Sequence, residues 1–151
     1  MTILTKIISG GQTGADQGGL DAGRALNIPT GGTAPLGWKT ERGSAEELLK
    51  GYGLVEAGVP GYPFRTRMNI LNSDATVIYG FTHEPGTLLT LRLCRSLGKP
   101  FLLNPTVNQL SAAVRGLPIK VLNVAGNRES KNHGIQVRVK NFLVDALSHE
   151  Y

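Results

Sequence analysis

The chain has 151 residues, 40% of them hydrophobic and 18% charged, which is typical of a globular domain long enough to bury a core. Lysines and arginines exceed acidic residues by sixteen to eleven, for a net charge of +5, but no basic run occurs, which argues against a dedicated nucleic-acid groove. A single cysteine excludes an intrachain disulfide and a cysteine metal cluster, and no apolar stretch is long enough to cross a membrane, so we expect a cytoplasmic protein without membrane attachment.

The first half of the chain predicts two strands, a helix and a long loop. A short β-branched run predicts a buried strand over 3–9, and a glycine-rich turn leads from it into a helix over 15–26. A second short strand is expected within 27–35. Residues 36–63 show little periodicity beyond a helical turn at 44–53, so we expect a loop there, and loops of such length are usually functional or mobile.

The second half of the chain predicts a regular alternation of helices and strands. The predicted helices are 65–74, 86–99, 106–116 and 134–150, and the predicted strands are 75–81, 100–104 and 119–126. Because most strands are apolar on both faces, we expect an α/β fold: a single Rossmann-like three-layer domain over 1–151, with a mostly parallel sheet of about five strands and helices on both faces. The carboxyl ends of such strands share one edge, where ligands bind.

The sequence SGGQTGAD follows the first predicted strand and predicts an anion-binding turn. Its three glycines permit positive φ angles and the close approach of a ligand to the main chain. The helix that follows would direct free N–H groups and its positive dipole end at the same point, as phosphate sites do. A tight turn without a ligand is the alternative. The residues expected to contact the ligand are Gly10, Gly11, Gln12, Thr13, Gly14 and Asp16.

Two further strand-to-helix turns and one helix face complete the predicted site. In the turn THEPGTLLT, Gly86 and Thr87 stand at a helix start, with Thr87 as N-cap or phosphate ligand. Arginine suits bidentate phosphate contact, and the predicted helix 65–74 carries one on the face that we expect to meet the ligand; a solvated arginine is the alternative. The remaining candidates are Arg65, Thr66 and Asn69 on that helix and Gly126, Asn127, Arg128, Glu129 and Ser130 in the last turn.

Some of these residues have other interpretations. Arg128 and Glu129 are adjacent and could simply pair with each other. The aromatic residues of the long loop could stack on a purine or pterin ring, but packing of the loop is the safer interpretation. The histidines share no metal-ligand spacing, so we expect no metal site. The aromatic residues concerned are Trp38, Tyr52, Tyr62 and Phe64.

Four segments of the chain carry a family resemblance: SGGQTGADQGGLDAG, RTRMNILNSDATV, GTLLT and NVAGNRESKNHGI. In this order they resemble the molybdenum-carrier family, a circularly permuted branch of the SLOG superfamily, which also holds LOG-type nucleotide phosphoribohydrolases and the Rossmann-like domain of DprA-type DNA-processing proteins. The resemblance runs nearly end to end. It implies a Rossmann-like domain that binds a nucleotide-like ligand, either a nucleotide or the molybdenum cofactor, and it implies a homo-oligomer.

The chain departs from the LOG-type pattern at the residue that matters for catalysis. Those hydrolases carry P-G-G-x-G-T-x-x-E, whose glutamate serves glycosidic-bond cleavage, whereas Thr90 stands in its place here. Only Glu84, Glu129 and Asp16 are then candidates for a catalytic carboxylate. We therefore expect a cytosolic binding protein for a phosphorylated, nucleotide-like small molecule and no enzyme. LOG-like N-glycosidic hydrolysis is the first alternative and a DNA-processing accessory role the second.

Overall fold

A parallel sheet forms the centre of the structure, a computed structural model that describes residues 4–148. In chain order the strands of these residues are β1 (Lys6–Ser9), β2 (Thr30–Ala34), β3 (Lys39–Thr40), β4 (Gly43–Ser44), β5 (Leu54–Glu56), β6 (Ala75–Tyr79), β7 (Phe101–Leu103) and β8 (Val121–Gly126). Six of them form one sheet in the order β5-β2-β1-β8-β6-β7, and every neighbouring pair is parallel. The short strands β3 and β4 form a separate antiparallel hairpin.

Helices cover both faces of this sheet. They are α1 (Ala15–Ala25), α2 (Glu46–Gly51), α3 (Tyr62–Leu71), α4 (Pro85–Ser96), α5 (Val107–Gly116) and α6 (Ile135–Leu147), with a 3₁₀ turn at Glu129–Lys131. Helices α1, α5 and α6 bury the larger apolar cluster on one face, and α3 and α4 bury a smaller one on the other. The predicted α/β, Rossmann-like, three-layer class is confirmed. Within the described residues, no helix is both long enough and apolar enough to span a bilayer.

The predicted loop over 36–63 contains the largest difference from the sequence-based expectation. It holds the hairpin, helix α2 and strand β5, which pairs with β2 at the sheet edge and makes the sheet six-stranded. Strand β5 has three residues, and its central Val55 is 62% exposed, so it shows no usable alternation. Ile3 of the first predicted strand and His149 and Glu150 of the last predicted helix lie outside the described residues.

Close approach of α1 to the sheet brings the first and last turns together. A Cβ on Gly19 would lie 2.6 Å from the Val124 Cβ, so a glycine is needed where α1 crosses β8. At the start of α1, Gly14 has a φ of +83°, and a Cβ there would lie 2.3 Å from the Asn127 carbonyl oxygen. Gly14 therefore serves the packing of two turns and leaves no space for a ligand on that side.

We predict that Gly14→Ala lowers the free energy of unfolding by about 2 kcal/mol, because the new methyl group meets backbone and the φ angle is unfavourable for alanine. Gly116→Ala is the matched control, since its Cβ would meet nothing within 4 Å and its φ is not in the positive region. Urea denaturation should show this control unchanged or more stable by about 0.5 kcal/mol. Equal stability of the two variants would contradict the packing role of Gly14.

Candidate functional site

A cavity of about 250 Å³ opens at the carboxyl edge of the sheet, over the end of β8. It lies between the β1–α1 turn, helix α3, the β6–α4 turn and the turn after β8. The chain leaves β1 toward β2 on one side and leaves β6 toward β7 on the other, with β8 between them. The cavity thus occupies the place where the strand order changes direction, which is where ligands bind in open α/β sheets.

The structure separates the predicted ligand residues into two groups. Those on the cavity wall are Gly10, Gln12, Asp16, Arg65, Thr66, Asn69, Gly86, Gly126 and Arg128. Those outside the wall are Gly11, Thr13, Gly14, Thr87, Asn127, Glu129 and Ser130. The wall also holds Glu84, which was predicted only as a candidate catalytic carboxylate, and Tyr62, for which stacking on a ring was the alternative to packing. The wall residues that were not predicted are Pro85, Thr90, Asn123, Val124 and Ala125.

Arg65 is buried on the cavity wall and is no ordinary solvated arginine. It is 9% exposed, and its Nη1 donates to Asp16 Oδ2 at 3.2 Å. Its guanidinium carbon lies 5.2 Å from the centre of the Tyr62 ring. A Cβ on Gly10 would lie 1.7 Å from Nη1, so only glycine leaves room for the guanidinium here. The buried Arg65 Nε has no hydrogen-bond partner among the described residues.

Asp16 faces Arg65 from the first turn of α1. Its Oδ2 also accepts a hydrogen bond from the Gln12 amide at 3.2 Å. Burial raises the pKa of Asp16 to about 6, although the Arg65 charge lowers it, and the nearby charge of Glu84 adds to the rise. A carboxyl group on the cavity wall therefore changes its charge close to neutral pH.

Glu84 and Arg128 form a second ion pair on the same wall. Glu84 Oε1 lies 3.4 Å from Arg128 Nη2, and Thr87 donates its hydroxyl proton to Glu84 Oε2 at 3.1 Å. The Glu84 carboxylate lies 3.7 Å from the position of a Cβ on Gly86, beside the first turn of α4. The Gly86–Thr87 turn thus presents a carboxylate where we expected a phosphate contact. Helix α4 has Glu84 as its N-cap residue, so the prediction of Thr87 as N-cap is wrong.

Glu129 does not pair with its neighbour Arg128 and does not reach the cavity. Its carboxylate accepts hydrogen bonds from the amides of Gly134 and Gln136 at the start of α6. The bond from Gly134 lowers the pKa of Glu129 below its ordinary value, with a smaller contribution from Gln136. Glu129 therefore caps a helix, which leaves Asp16 and Glu84 as the predicted carboxylates that line the cavity.

The first turn does not offer the open main-chain donors that its glycines suggested. Four of its amides already donate to acceptors of the protein. The pairs are Gly11 N with Ser9 Oγ at 3.3 Å, Gln12 N with Asp16 Oδ2 at 3.2 Å, Thr13 N with Gln12 Oε1 at 3.0 Å and Ala15 N with Asn127 O at 3.1 Å. The prediction is wrong for these amides, because side chains and backbone of the protein satisfy them first.

Glu41, in the turn of the β3–β4 hairpin, makes hydrogen bonds to three predicted ligand residues. Its carboxylate accepts from the hydroxyls of Thr13 and Ser130 and from the Ser130 amide, and its own amide donates to Gln12 Oε1 at 2.9 Å. Partial burial opposes the effect of these bonds, but together with the Arg128 charge they lower the pKa of Glu41 below its ordinary value. Thr13 and Ser130 hold the hairpin against the first and last turns.

Two asparagines among the predicted ligand residues bind backbone with both ends of their amides. Asn69 accepts from Thr33 N at 2.8 Å and donates to Thr33 O at 3.0 Å, which fastens α3 to β2. Asn127 is fully buried and makes the same pair of bonds with Phe81 at 2.7 and 3.0 Å. Asn69 still contributes to the cavity wall, whereas Asn127 lies behind it.

The aromatic residues of the loop differ in position, and Phe64 is 38% exposed and outside the cavity wall. Trp38 and Tyr52 are buried in an apolar cluster with Leu20 and Leu49, as the packing interpretation expected. Tyr62 lines the cavity and is 46% exposed, so it is the ring available for stacking on a ligand. The cavity residues 123–125 belong to a strand that reads as core, and no sequence signal marks them as wall residues.

Metal ligands are scarce in the described part of the chain. Residues 4–148 hold no cluster of three or more histidine, cysteine or acidic side chains that could bind a metal ion. Cys94 is buried in the apolar cluster with Ile70 and Leu91, and burial raises the pKa of its thiol. Cys94 contributes nothing to the cavity wall.

The fold is Rossmann-like, and the cavity lies at the topological switch point, the place where open α/β sheets bind ligands. The sequence model of the circularly permutated YpsA SLOG family matches residues 7–147, so the chain belongs to that family. The crystal structure of the putative molybdenum carrier protein from Syntrophus aciditrophicus is similar, with a TM-score of 0.80, 32% sequence identity, and coverage of 97% of this chain and 94% of that one. No curated protein matches the chain. The homo-oligomer that the sequence resemblance implied stays a prediction.

We predict that Asp16 titrates near pH 6 and that Arg65→Gln raises its pKa further, because the substitution removes the charge that lowers it. Arg67→Gln, on the exposed side of α3, should leave the titration unchanged. Carbon-detected NMR of the aspartate carboxyl groups measures both. Since the folded pKa exceeds the unfolded one, the contribution of Asp16 to stability falls as pH rises from about 4 to about 6. An Asp16 midpoint near pH 4 would contradict this assignment.

Proposed function

We propose that this protein binds a small, phosphorylated, nucleotide-like molecule in the cavity over β8. The observation that carries the proposal is Arg65, whose guanidinium lies on the cavity wall with one ion-pair partner among the described residues, Asp16. A buried guanidinium is costly unless its N–H groups are bonded, and Asp16 reaches only Nη1. A phosphate oxygen is an acceptor suited to the remaining donors.

The other walls of the cavity suit the rest of such a ligand. Tyr62 offers an exposed ring for a planar base, and Arg128, one-third exposed, supplies a second guanidinium on the cavity wall. A volume of about 250 Å³ favours a compact ligand. Because its wall arginines are each paired with a carboxylate, the cavity supports a DNA-processing role less well, and that role stays an untested alternative.

The molybdenum cofactor is a candidate for this ligand because a similar solved structure carries the name of a molybdenum carrier. Its phosphate and its pterin ring would use the same arginines and the same aromatic ring. The described wall contains no thiol, so a molybdenum atom would have to keep the ligands that it brings with it. Native mass spectrometry and elemental analysis of freshly purified protein distinguish the cofactor from a nucleotide.

We predict that Arg65→Gln weakens ligand binding at least about tenfold, since it removes a charge-assisted bond to phosphate. Calorimetric titration of ribonucleoside 5′-monophosphates and of inorganic phosphate measures the effect. Arg67→Gln is the matched control, because this arginine lies on the same helix and is exposed. Its dissociation constants should stay within about twofold of the wild type. If both variants bind as the wild type does, the site of binding is not this cavity.

Hydrolysis of an N-glycosidic bond is a second candidate function, and the carboxyl pair Asp16 and Glu84 favours it. Both line the cavity, and the pKa of Asp16, raised by burial to about 6, suits a general acid. Glycosidic-bond cleavage commonly uses two carboxyl groups that flank the bond. In this assignment Glu84 has the role that the glutamate of the LOG-type pattern has, at whose position this chain carries Thr90.

If the protein is a hydrolase, we predict that incubation with a nucleoside monophosphate releases the free base and that Asp16→Asn and Glu84→Gln each slow the release at least about a hundredfold. Chromatography of the released base gives the rate. Glu129→Gln serves as the control, since Glu129 caps α6 away from the cavity. Undetectable release by the wild type would exclude this function and leave the binding proposal unaffected.

A further inference from the structure

A chain of directed hydrogen bonds sets the role of Glu84 in the cavity. It begins at Asn127, whose amide orientation is fixed by the backbone of Phe81. Asn127 Oδ1 accepts from Phe81 N at 2.7 Å, and Asn127 Nδ2 donates to Phe81 O at 3.0 Å. Turning the amide over would place donor against donor and acceptor against acceptor. Nδ2 therefore points its second proton at one partner, the Thr87 hydroxyl.

The orientation of Asn127 determines what Thr87 can do. Asn127 Nδ2 lies 2.8 Å from Thr87 Oγ1 and donates to it, so the hydroxyl keeps its own proton free to donate elsewhere. Thr87 donates that proton to Glu84 Oε2, with 3.1 Å between the two oxygen atoms. Thr87 is 0% exposed, so solvent does not compete for the hydroxyl. Glu84 Oε2 is consequently held as a hydrogen-bond acceptor by a buried relay.

The protein does not use all the lone pairs of the Glu84 carboxylate, and this carboxylate lines the cavity. A carboxylate has about four lone-pair sites, and the protein uses Oε2 for Thr87 and Oε1 for Arg128. Gly86 stands beside the carboxylate and has no side chain to cover it, with its Cβ position 3.7 and 3.9 Å from the two oxygens. Both Glu84 and Gly86 line the cavity, and the Glu84 side chain keeps 8% of its surface exposed.

We propose that Glu84 is the specificity-determining residue of the site and selects ligands that carry hydroxyl donors next to a single phosphate group, as a ribose 5′-monophosphate with a free 2′,3′-diol does. This inference rests on the proposed function and deepens it. A carboxylate accepts a hydrogen bond from a hydroxyl donor and repels a further anionic group. Each of the two wall arginines already faces a carboxyl group, so one phosphate group can use the donors of Arg65 that Asp16 leaves open, while a second or third would meet no unpaired cation in the described wall. Asn127 and Thr87 are positioning residues for Glu84.

The test compares ribose with 2′,3′-dideoxyribose, and one phosphate group with two, on the same full-length protein. The four ribonucleoside 5′-monophosphates, their 2′,3′-dideoxy counterparts and the corresponding ribonucleoside diphosphates are titrated calorimetrically. In the wild type we expect the dideoxy compounds and the diphosphates to bind at least about tenfold more weakly than the ribonucleoside monophosphates. The readout is the ratio of dissociation constants, which a general loss of stability does not change.

Variants along the relay should change that ratio in a defined way. Glu84→Gln and Thr87→Val should bring the ratio of dideoxy to ribose dissociation constants below about three, because each removes or misdirects the acceptor. Thr87→Ser keeps the hydroxyl and should restore the wild-type ratio. Ser96→Ala, an exposed hydroxyl on the same helix, is the matched control and should keep it as well. If Thr87→Val fails to fold, Glu84→Gln still decides the outcome.

The outcomes separate this inference from the proposed function. If ribose and dideoxy compounds bind the wild type equally while Arg65→Gln weakens both, the binding function stands and selection by Glu84 is wrong. Tighter binding of the diphosphates would overturn the single-phosphate assignment in the same way. If none of these nucleotides binds the wild type, both the inference and the nucleotide assignment fall.

Discussion

The ion pair between Arg65 and Asp16 is the contact on which the site depends. It joins α3, on one face of the sheet, to the first turn of α1, on the other, and both side chains are nearly excluded from solvent. A buried pair of this kind is rarely a net source of stability, because desolvation offsets much of the attraction. The pair has two structural consequences: Gly10 leaves the space that the guanidinium occupies, and the guanidinium is kept in the cavity wall with its Nε unpaired among the described residues. The burial that accompanies the pair raises the pKa of Asp16 to about 6, against the lowering effect of the Arg65 charge.

Polar clamps between distant loops hold the rest of the cavity in shape. Glu41 bridges the first and last turns, Asn69 fastens α3 to β2, and Asn127 fastens the end of β8 to the β6–α4 turn. Each uses side-chain groups to satisfy backbone or buried hydroxyls, so the turns have little freedom to rearrange when a ligand arrives. The glycine-rich turn is therefore a preformed wall, and charge on this wall comes from side chains more than from open amides.

A wall with both signs of charge distinguishes this site from a simple phosphate cradle. Two guanidinium groups and two carboxyl groups form two ion pairs on the described cavity wall, and each carboxyl group lies at the start of a helix, where the helix dipole favours a negative charge. This mixture of charges is the basis for proposing a ligand with one phosphate group and hydroxyl donors rather than a polyphosphate. The same pair of carboxyl groups makes hydrolysis chemically reasonable, so binding and catalysis are related interpretations of a single arrangement.

Much of the architecture could be predicted from local patterns, because apolar runs and helix periodicity are properties of short segments. The alternation of strands and helices, the Rossmann-like class, and the carboxyl edge as the place of the site all follow from such patterns, and Arg65, Asp16 and Gly10 could be named in advance. Only the tertiary structure decided which polar residues line the cavity and which bind other parts of the protein. Thr13, Ser130 and Asn127 have the same chemistry as a ligand contact, but their partners come from segments far along the chain, 89 residues away for Ser130 and Glu41. Hydrogen-bond partners at that distance leave no periodic trace in a sequence, and a three-residue strand such as β5 is too short to show one.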